Sequence, residues 1–126
     1  MSCLAPRGLA SVLAGLRRLD GYSISGSMAA SRRLAWAAPR LAILYVQNPE
    51  GLARALDVRP TDAGANLLLL RPYDPVVFER TWSEDGLVFA ALSQVAADLL
   101  TSPGRAPSEG DELLRWMGGH VDGWKA

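Results

Sequence analysis

The first group of residues with types and spacing suited to binding is Gly26-Ser27, which comes between a strand-like and a helix-like segment. The backbone of a glycine-serine loop in this setting can approach a phosphate group. Arg32 and Arg33 follow on the same helix, and guanidinium groups are good donors to phosphate or carboxylate oxygens. We predict that these four residues contact a partner, with a solvated helix surface as the alternative for the two arginines.

A second group, Ser93, Gln94 and Asp98, lies on one later helix. Gln94 and Asp98 are four residues apart, so they share a helix face and can hydrogen-bond each other or an adjoining backbone. We predict partner contact here too. The alternative is a helix that is capped by Ser93 and whose polar side chains are satisfied locally.

Known kinds of catalytic site find little support in the sequence. A Gly-Ser loop in a nucleotidyltransferase needs two acidic residues about ten positions later to hold two magnesium ions, and residues 36–47 contain no Asp or Glu. Cys3, His120 and Lys125 are each the only residue of their type and lie near the ends of the chain. We therefore predict no catalytic residue, no metal site, no cofactor and no enzyme activity; the alternative is a catalytically degenerate nucleotidyltransferase-like domain that binds a nucleotide through Gly26-Ser27.

Composition narrows the class of protein further. With 126 residues, 13 basic and 13 acidic side chains and one cysteine, the chain predicts one ordinary globular domain without disulfides, located in the cytoplasm. Neutral net charge gives no general reason to expect DNA contact, and no apolar stretch is long enough to span a membrane. Residues 1–40 hold six arginines against one acid, whereas residues 74–126 hold nine acids against four bases. This asymmetry predicts that the two ends face one another, or that the basic end faces an acidic partner.

Apolar spacing and turn residues predict the elements that must position these groups. In the first half we expect a helix over 7–20, strands over 22–25, 41–46 and 67–70, a helix from Ser27 to Ala38, and a helix to Leu56 with Asn48 as its cap and Pro49 as its first residue. In the second half we expect a helical turn over 74–78, a strand over 80–82, and a hairpin at Glu84-Asp85-Gly86 whose second strand covers 87–90. Two helices follow. Ser93 caps the first, in which Leu99 and Leu100 face inward, and the second runs from Ser108 to Met117.

This order of elements predicts an α/β (α+β) fold, in which a mixed β-sheet of four to five strands is flanked by helices. We expect a disordered start over residues 1–6, a single small effector or partner-binding domain over 7–117, and a flexible tail over 118–126.

Two stretches together resemble a known family. They are the segments from Gly21 to Ala30 and from Val88 to Leu100, with the patterns Ser-Gly-Ser-x-Ala-Ala and Ser-Gln followed by Asp-Leu. They resemble the C-terminal domain of bacterial winged-helix transcriptional regulators related to the AbiEi antitoxins of type IV toxin-antitoxin systems. In the second pattern the spacing differs, because Gln94 directly follows Ser93.

The resemblance implies a non-catalytic effector domain that acts by protein-protein contact, with a cognate toxin or a second copy of itself as partner. Only six residues precede Arg7, so we expect no DNA contact from this chain alone and interpret it as a truncated winged-helix protein or a stand-alone partner domain. A dimerisation module that uses the helix face of Leu9, Val12 and Leu16 is a further alternative.

Overall fold

The computed structural model describes residues 2–34, 42–61, 65–72, 78–101 and 106–120. Its strands are β1 (Ser2–Leu4), β2 (Tyr22–Ser25), β3 (Ala42–Val46), β4 (Arg59–Pro60), β5 (Leu67–Leu70), β6 (Trp82–Glu84) and β7 (Leu87–Phe89). Its helices are α1 (Leu9–Leu16), α2 (Gly26–Ala30), α3 (Pro49–Leu56), α4 (Leu92–Leu100) and α5 (Ala106–Gly119). None of these described helices has the length and apolar character needed to cross a membrane.

The seven strands in the described part of the chain form one mixed sheet in the order β4-β1-β5-β3-β2-β7-β6. The centre is the antiparallel pair β2 and β3, flanked by β5 parallel to β3 and by β7 parallel to β2. The predicted fold class is confirmed, and the predicted strands over 22–25, 41–46 and 67–70 agree with β2, β3 and β5 within one residue. Among the described residues the sheet has seven strands, more than the four or five expected, because β1 and β4 were not predicted.

The expectation of a disordered start is wrong for residues 2–4. Strand β1 lies between β4 and β5, and the Cys3 side chain is fully buried. Asn66 fixes the end of β1, because its side-chain oxygen accepts a hydrogen bond at 2.9 Å from the amide of Ala5, the first residue after the strand. A three-residue strand carries too little periodicity to be seen locally, and its partners lie about sixty positions further along the chain.

Pairing in the central strands divides the sheet into two faces. Ile24, Leu44 and Leu69 stand side by side on one face, each at most 1% exposed, and belong to the main core. The opposite face carries Tyr45 on β3 and Ser25 at the end of β2. Because side chains alternate along a strand, the apolar sequence of β3 supplies both faces at once.

Helix α3 begins as predicted. The Asn48 side chain accepts a hydrogen bond from the Gly51 amide at 3.1 Å, and Pro49 occupies the first turn. By contrast, the predicted cap at Ser93 is wrong, and the helices expected to start at Ser27 and Ser108 start earlier. All three serines lie inside the first turn of helices that begin one or two residues before them.

Several element ends also differ from expectation. Helix α1 covers only Leu9–Leu16, and its Val12 and Leu16 pack into the main core, so the apolar face considered for dimerisation is covered within the chain. Helix α2 ends at Ala30, and α5 continues to Gly119, beyond the expected start of the tail. The predictions that fall on residues 1, 35–41, 62–64, 73–77, 102–105 and 121–126 lie outside the described residues.

The predicted hairpin is confirmed. Glu84 pairs with Leu87, so Asp85-Gly86 forms a two-residue turn, and both residues have the positive φ angles of a type I′ turn, 54° and 76°. The strand expected over 80–82 lies two residues later, as β6. The turn meets the basic N-terminal part of the chain, because Arg32 contacts Asp85 and Arg33 contacts Glu84. For these residues the prediction that the two ends face one another is confirmed.

Candidate functional site

The polar side chains of α4 converge on the sheet at the end of β2. Asp98 Oδ2 accepts from the Ser25 hydroxyl at 2.6 Å, and both Asp98 oxygens accept from the Tyr45 hydroxyl, at 2.8 and 2.9 Å. Gln94 Nε2 donates to Asp98 Oδ1 at 3.0 Å and to the Tyr45 oxygen at 3.4 Å. We call Ser25, Tyr45, Gln94 and Asp98 the Asp98 cluster.

The local sequence explains how these four residues meet. Ser25 and Tyr45 lie on the same face of the antiparallel pair β2 and β3, displaced by two positions in register. Gln94 and Asp98 are one helical turn apart on α4. The opposite side of α4 buries Leu92, Val95, Ala96 and Leu99 in the main core, which fixes the orientation of the helix.

The environment of the cluster favours fixed hydrogen bonds over proton transfer. Ser25 is fully buried, and only 8% of Tyr45 is exposed. Burial, followed by the hydrogen bond to Asp98 and the charge of that carboxylate, raises the pKa of Tyr45 above its ordinary value. The tyrosine therefore stays a neutral donor, and the arrangement joins α4 to the two central strands by charge-assisted hydrogen bonds.

The structure brings only some of the predicted site residues together. Gln94 and Asp98 belong to one cluster, and Gly26 and Ser27 directly follow its Ser25. Gly26 begins α2 with a positive φ of 73°, and both Gly26 and Ser27 are buried. A phosphate cannot reach a backbone that is covered by other protein atoms, so this loop does not present the accessible cradle that nucleotide binding requires.

Arg32 and Arg33 are used within the chain. Arg32 lies 2.7 Å from Asp85 and above the Phe89 ring, while Arg33 lies 3.3 Å from Glu84 and 4.0 Å above the Trp82 ring. Trp82 in turn stacks on Phe89 with centroids 4.4 Å apart. We call the contacts of Arg32 and Arg33 with Glu84 and Asp85 the hairpin junction. It occupies the two guanidinium groups that were predicted to contact a partner.

Ser93 does not join the Asp98 cluster but is exposed on the outer side of α4. The other exposed residues of this helix are Ala97 and Leu100. Leu100 was expected to face inward, and 40% of its surface is exposed instead. The outer face of α4 is therefore uncharged, because Asp98, the only charged residue of the helix, is held by the sheet.

Sequence analysis missed Ser25 and Tyr45 as members of the site. A usable signal existed in Tyr45, the only hydroxyl in the otherwise apolar strand β3, because a buried tyrosine hydroxyl needs a hydrogen-bond partner. Its partner could not be named without the register of the sheet. Within the described ranges, no group of three or more His, Cys, Asp or Glu side chains is arranged to hold a metal ion.

Comparisons with known proteins found no matching family model, no similar curated protein and no similar solved structure.

Proposed function

We propose that this chain is a non-catalytic effector domain of an antitoxin-like transcriptional regulator, which works in the cytoplasm by protein-protein contact. The observation that carries the proposal is the outer face of α4. Ser93, Ala97 and Leu100 are exposed there without any charge, while the Asp98 cluster fixes the helix from behind. A rigid, uncharged helix surface is suited to protein contact, because binding it costs little desolvation and little ordering.

Two further observations support the proposal. The Asp98 carboxylate receives donors from Ser25, Tyr45 and Gln94, an arrangement that favours a role in positioning α4 over a role in chemistry. The resemblance of the segments around Gly26 and Ser93 to AbiEi-like regulators favours a toxin as the partner. A reducing compartment suits the single buried thiol of Cys3.

A co-purification experiment tests the proposal. The tagged chain is co-expressed with the product of each neighbouring gene, and the mass of each purified species is measured by light scattering after size-exclusion chromatography. We expect a stoichiometric complex with one of these products. If the chain elutes alone in every case and instead binds ATP in calorimetry, the nucleotide-binding alternative replaces the proposal. A mass that rises with concentration and requires no second protein would instead show a dimerisation module.

A further inference from the structure

Three arginines from two separate parts of the chain meet at the turn between β6 and β7. Arg17, the residue directly after α1, donates from Nε to the Asp85 carbonyl oxygen at 2.9 Å. Arg32 donates from Nη1 to the Asp85 carboxylate at 2.7 Å, and Arg33 donates to the Glu84 carboxylate at 3.3 Å. We call Arg17, Arg32 and Arg33 the arginine cluster. Two consecutive residues of one turn thus bring three guanidinium groups together.

The arginine cluster carries one more charge than the turn neutralises. The ion pairs of Arg32 with Asp85 and of Arg33 with Glu84 account for two of the three guanidinium groups. Arg17 contacts an uncharged carbonyl instead, and within the described part of the chain it forms no ion pair with a carboxylate. It is also exposed, and a guanidinium group has five N–H donors, so Arg17 can donate further hydrogen bonds to a ligand from solvent. The surplus charge favours an anion.

Two of these guanidinium groups are positioned by contacts that do not involve the Asp85 carboxylate. Arg17 is bound to the backbone of the turn, and its stem lies beside Gly86, where an added Cβ would be 3.7 Å from the Arg17 Cγ. Arg32 lies above the Phe89 ring, 5.4 Å from its centroid. The Asp85 side chain, by contrast, is 63% exposed and can rotate into water. Its rotation would leave both arginines positioned for another anion.

We propose that Arg17 and Arg32 bind a phosphate group, free or as a monoester, at the place that the Asp85 carboxylate takes in this structure. A phosphate dianion has enough acceptor oxygens for both guanidinium groups, whereas the Asp85 carboxylate meets Arg32 alone. Asp85 then acts as a built-in competitor that limits the affinity of the site. The site uses no residue of α4, so this inference goes beyond the proposed function.

An NMR titration of the full chain tests the proposal. Inorganic phosphate and glycerol 3-phosphate are added in separate experiments at about pH 7, with sodium chloride keeping the ionic strength constant. The signals followed are the Nε–H of Arg17 and the backbone amide of Gly86. We expect saturable shifts of both signals, with a Kd of the order of millimolar. Tighter binding of glycerol 3-phosphate would identify a phosphate ester as the ligand, and equal or tighter binding of inorganic phosphate would identify the free ion.

Variants separate a defined site from general charge attraction. Asp85→Asn removes the competing carboxylate, and we expect inorganic phosphate to bind this variant about tenfold more tightly than the unaltered chain. Arg17→Gln should weaken binding about fivefold. Arg18→Gln is the matched control, because Arg18 is exposed next to Arg17 but forms no hydrogen bond or ion pair with the turn in the described residues. It should change the Kd by less than about twofold.

Thermal unfolding of each variant confirms that it is folded. Equal losses in Arg17→Gln and Arg18→Gln would overturn the proposal, since they would reduce binding to general charge attraction. Phosphate binding that is no tighter in Asp85→Asn than in the unaltered chain would also overturn it, because the carboxylate would then not compete for the site. Neither result bears on the co-purification experiment, so the proposed function and this inference can fail separately.

Discussion

Two polar junctions hold distant parts of this chain together, and they differ in almost every physical respect. The Asp98 cluster joins α4 to the central strands through hydroxyl and amide donors on one half-buried carboxylate. The hairpin junction joins the segment after α2 to the turn between β6 and β7 through ion pairs, in which 63% of the Asp85 side chain is exposed. Water competes for the hydrogen bonds of the hairpin junction and is largely excluded from the Asp98 cluster.

This difference indicates that the number of ion pairs in a contact is a poor measure of how much the contact stabilises a small domain. The hairpin junction has two full ion pairs, whereas the Asp98 cluster contains a single charge. We nevertheless expect the cluster to contribute more to the free energy of unfolding, because its buried donors have no solvent to replace a lost acceptor. Four predictions test this comparison.

The largest effect is expected for Asp98→Ala. The substitution leaves the hydroxyls of Ser25 and Tyr45 without their acceptor inside the fold, and we expect the free energy of unfolding to fall by about 3 kcal/mol. Urea unfolding measures it. Asp20→Ala, at an exposed position, is the control and should change stability by less than about 0.5 kcal/mol. Similar losses in both variants would mean that the cluster has no special role.

Tyr45→Phe should have the next largest effect. The ring still packs with Ile43, Leu68 and Leu70, while the hydrogen bonds from its hydroxyl to Asp98 are lost. We expect a loss of about 1.5 kcal/mol, and a double-mutant cycle with Asp98→Ala should show strong coupling between the two residues. Additive losses in the cycle would contradict a direct contact between them.

Alkaline pH should weaken the cluster through the same hydroxyl. The pKa of Tyr45 is raised in the folded protein, so its stabilising effect is complete below the unfolded-state value of 10.0 and is lost as pH rises from there towards the folded-state pKa. At about pH 11 we expect a loss of about 1 kcal/mol that is absent in Tyr45→Phe. Urea unfolding of both proteins across this range measures the difference, and parallel pH profiles would exclude the effect.

The smallest effect is expected at the hairpin junction. Asp85→Asn removes the charge that faces Arg32 but keeps a residue that tolerates the left-handed backbone of the turn. We expect a loss of less than about 0.5 kcal/mol, which high salt should abolish. Asp57→Asn is the matched control, because Asp57 is also exposed and has a φ of 53°. A loss as large as that of Asp98→Ala would reverse the order of the two junctions.

Sequence reasoning predicted the elements whose signals are local. Asn48-Pro49 identified the start of α3 and Asp85-Gly86 identified the hairpin. The β-branched and aromatic residues of one apolar run identified β3, and the short length of another apolar run between turn residues identified β5. It failed for β1 and β4, since two or three residues become a strand only through partners far away in the chain. No local signal distinguishes such a segment from a loop.

In the candidate site, too, local contacts could be predicted from the sequence and long-range contacts could not. Helical spacing was enough to pair Gln94 with Asp98. Finding Ser25 and Tyr45 required the register of β2 against β3, because a shift of one residue would have placed the two side chains on opposite faces of the sheet. The partners of Arg32 and Arg33 also required the fold, although the uneven distribution of charge had indicated that the two ends would meet.

Strand β1 gives the folding of this chain a definite order of events. Cys3 pairs with Leu67 on one side and with Pro60 on the other, so this part of the sheet closes only after residues about sixty positions later have been synthesised. Contacts of such long sequence separation are slow to form, because the chain must lose the entropy of closing a large loop before these contacts can stabilise it. During synthesis, residues 2–4 must therefore wait for segments made much later, so the burial of Cys3 follows the completion of this part of the sheet.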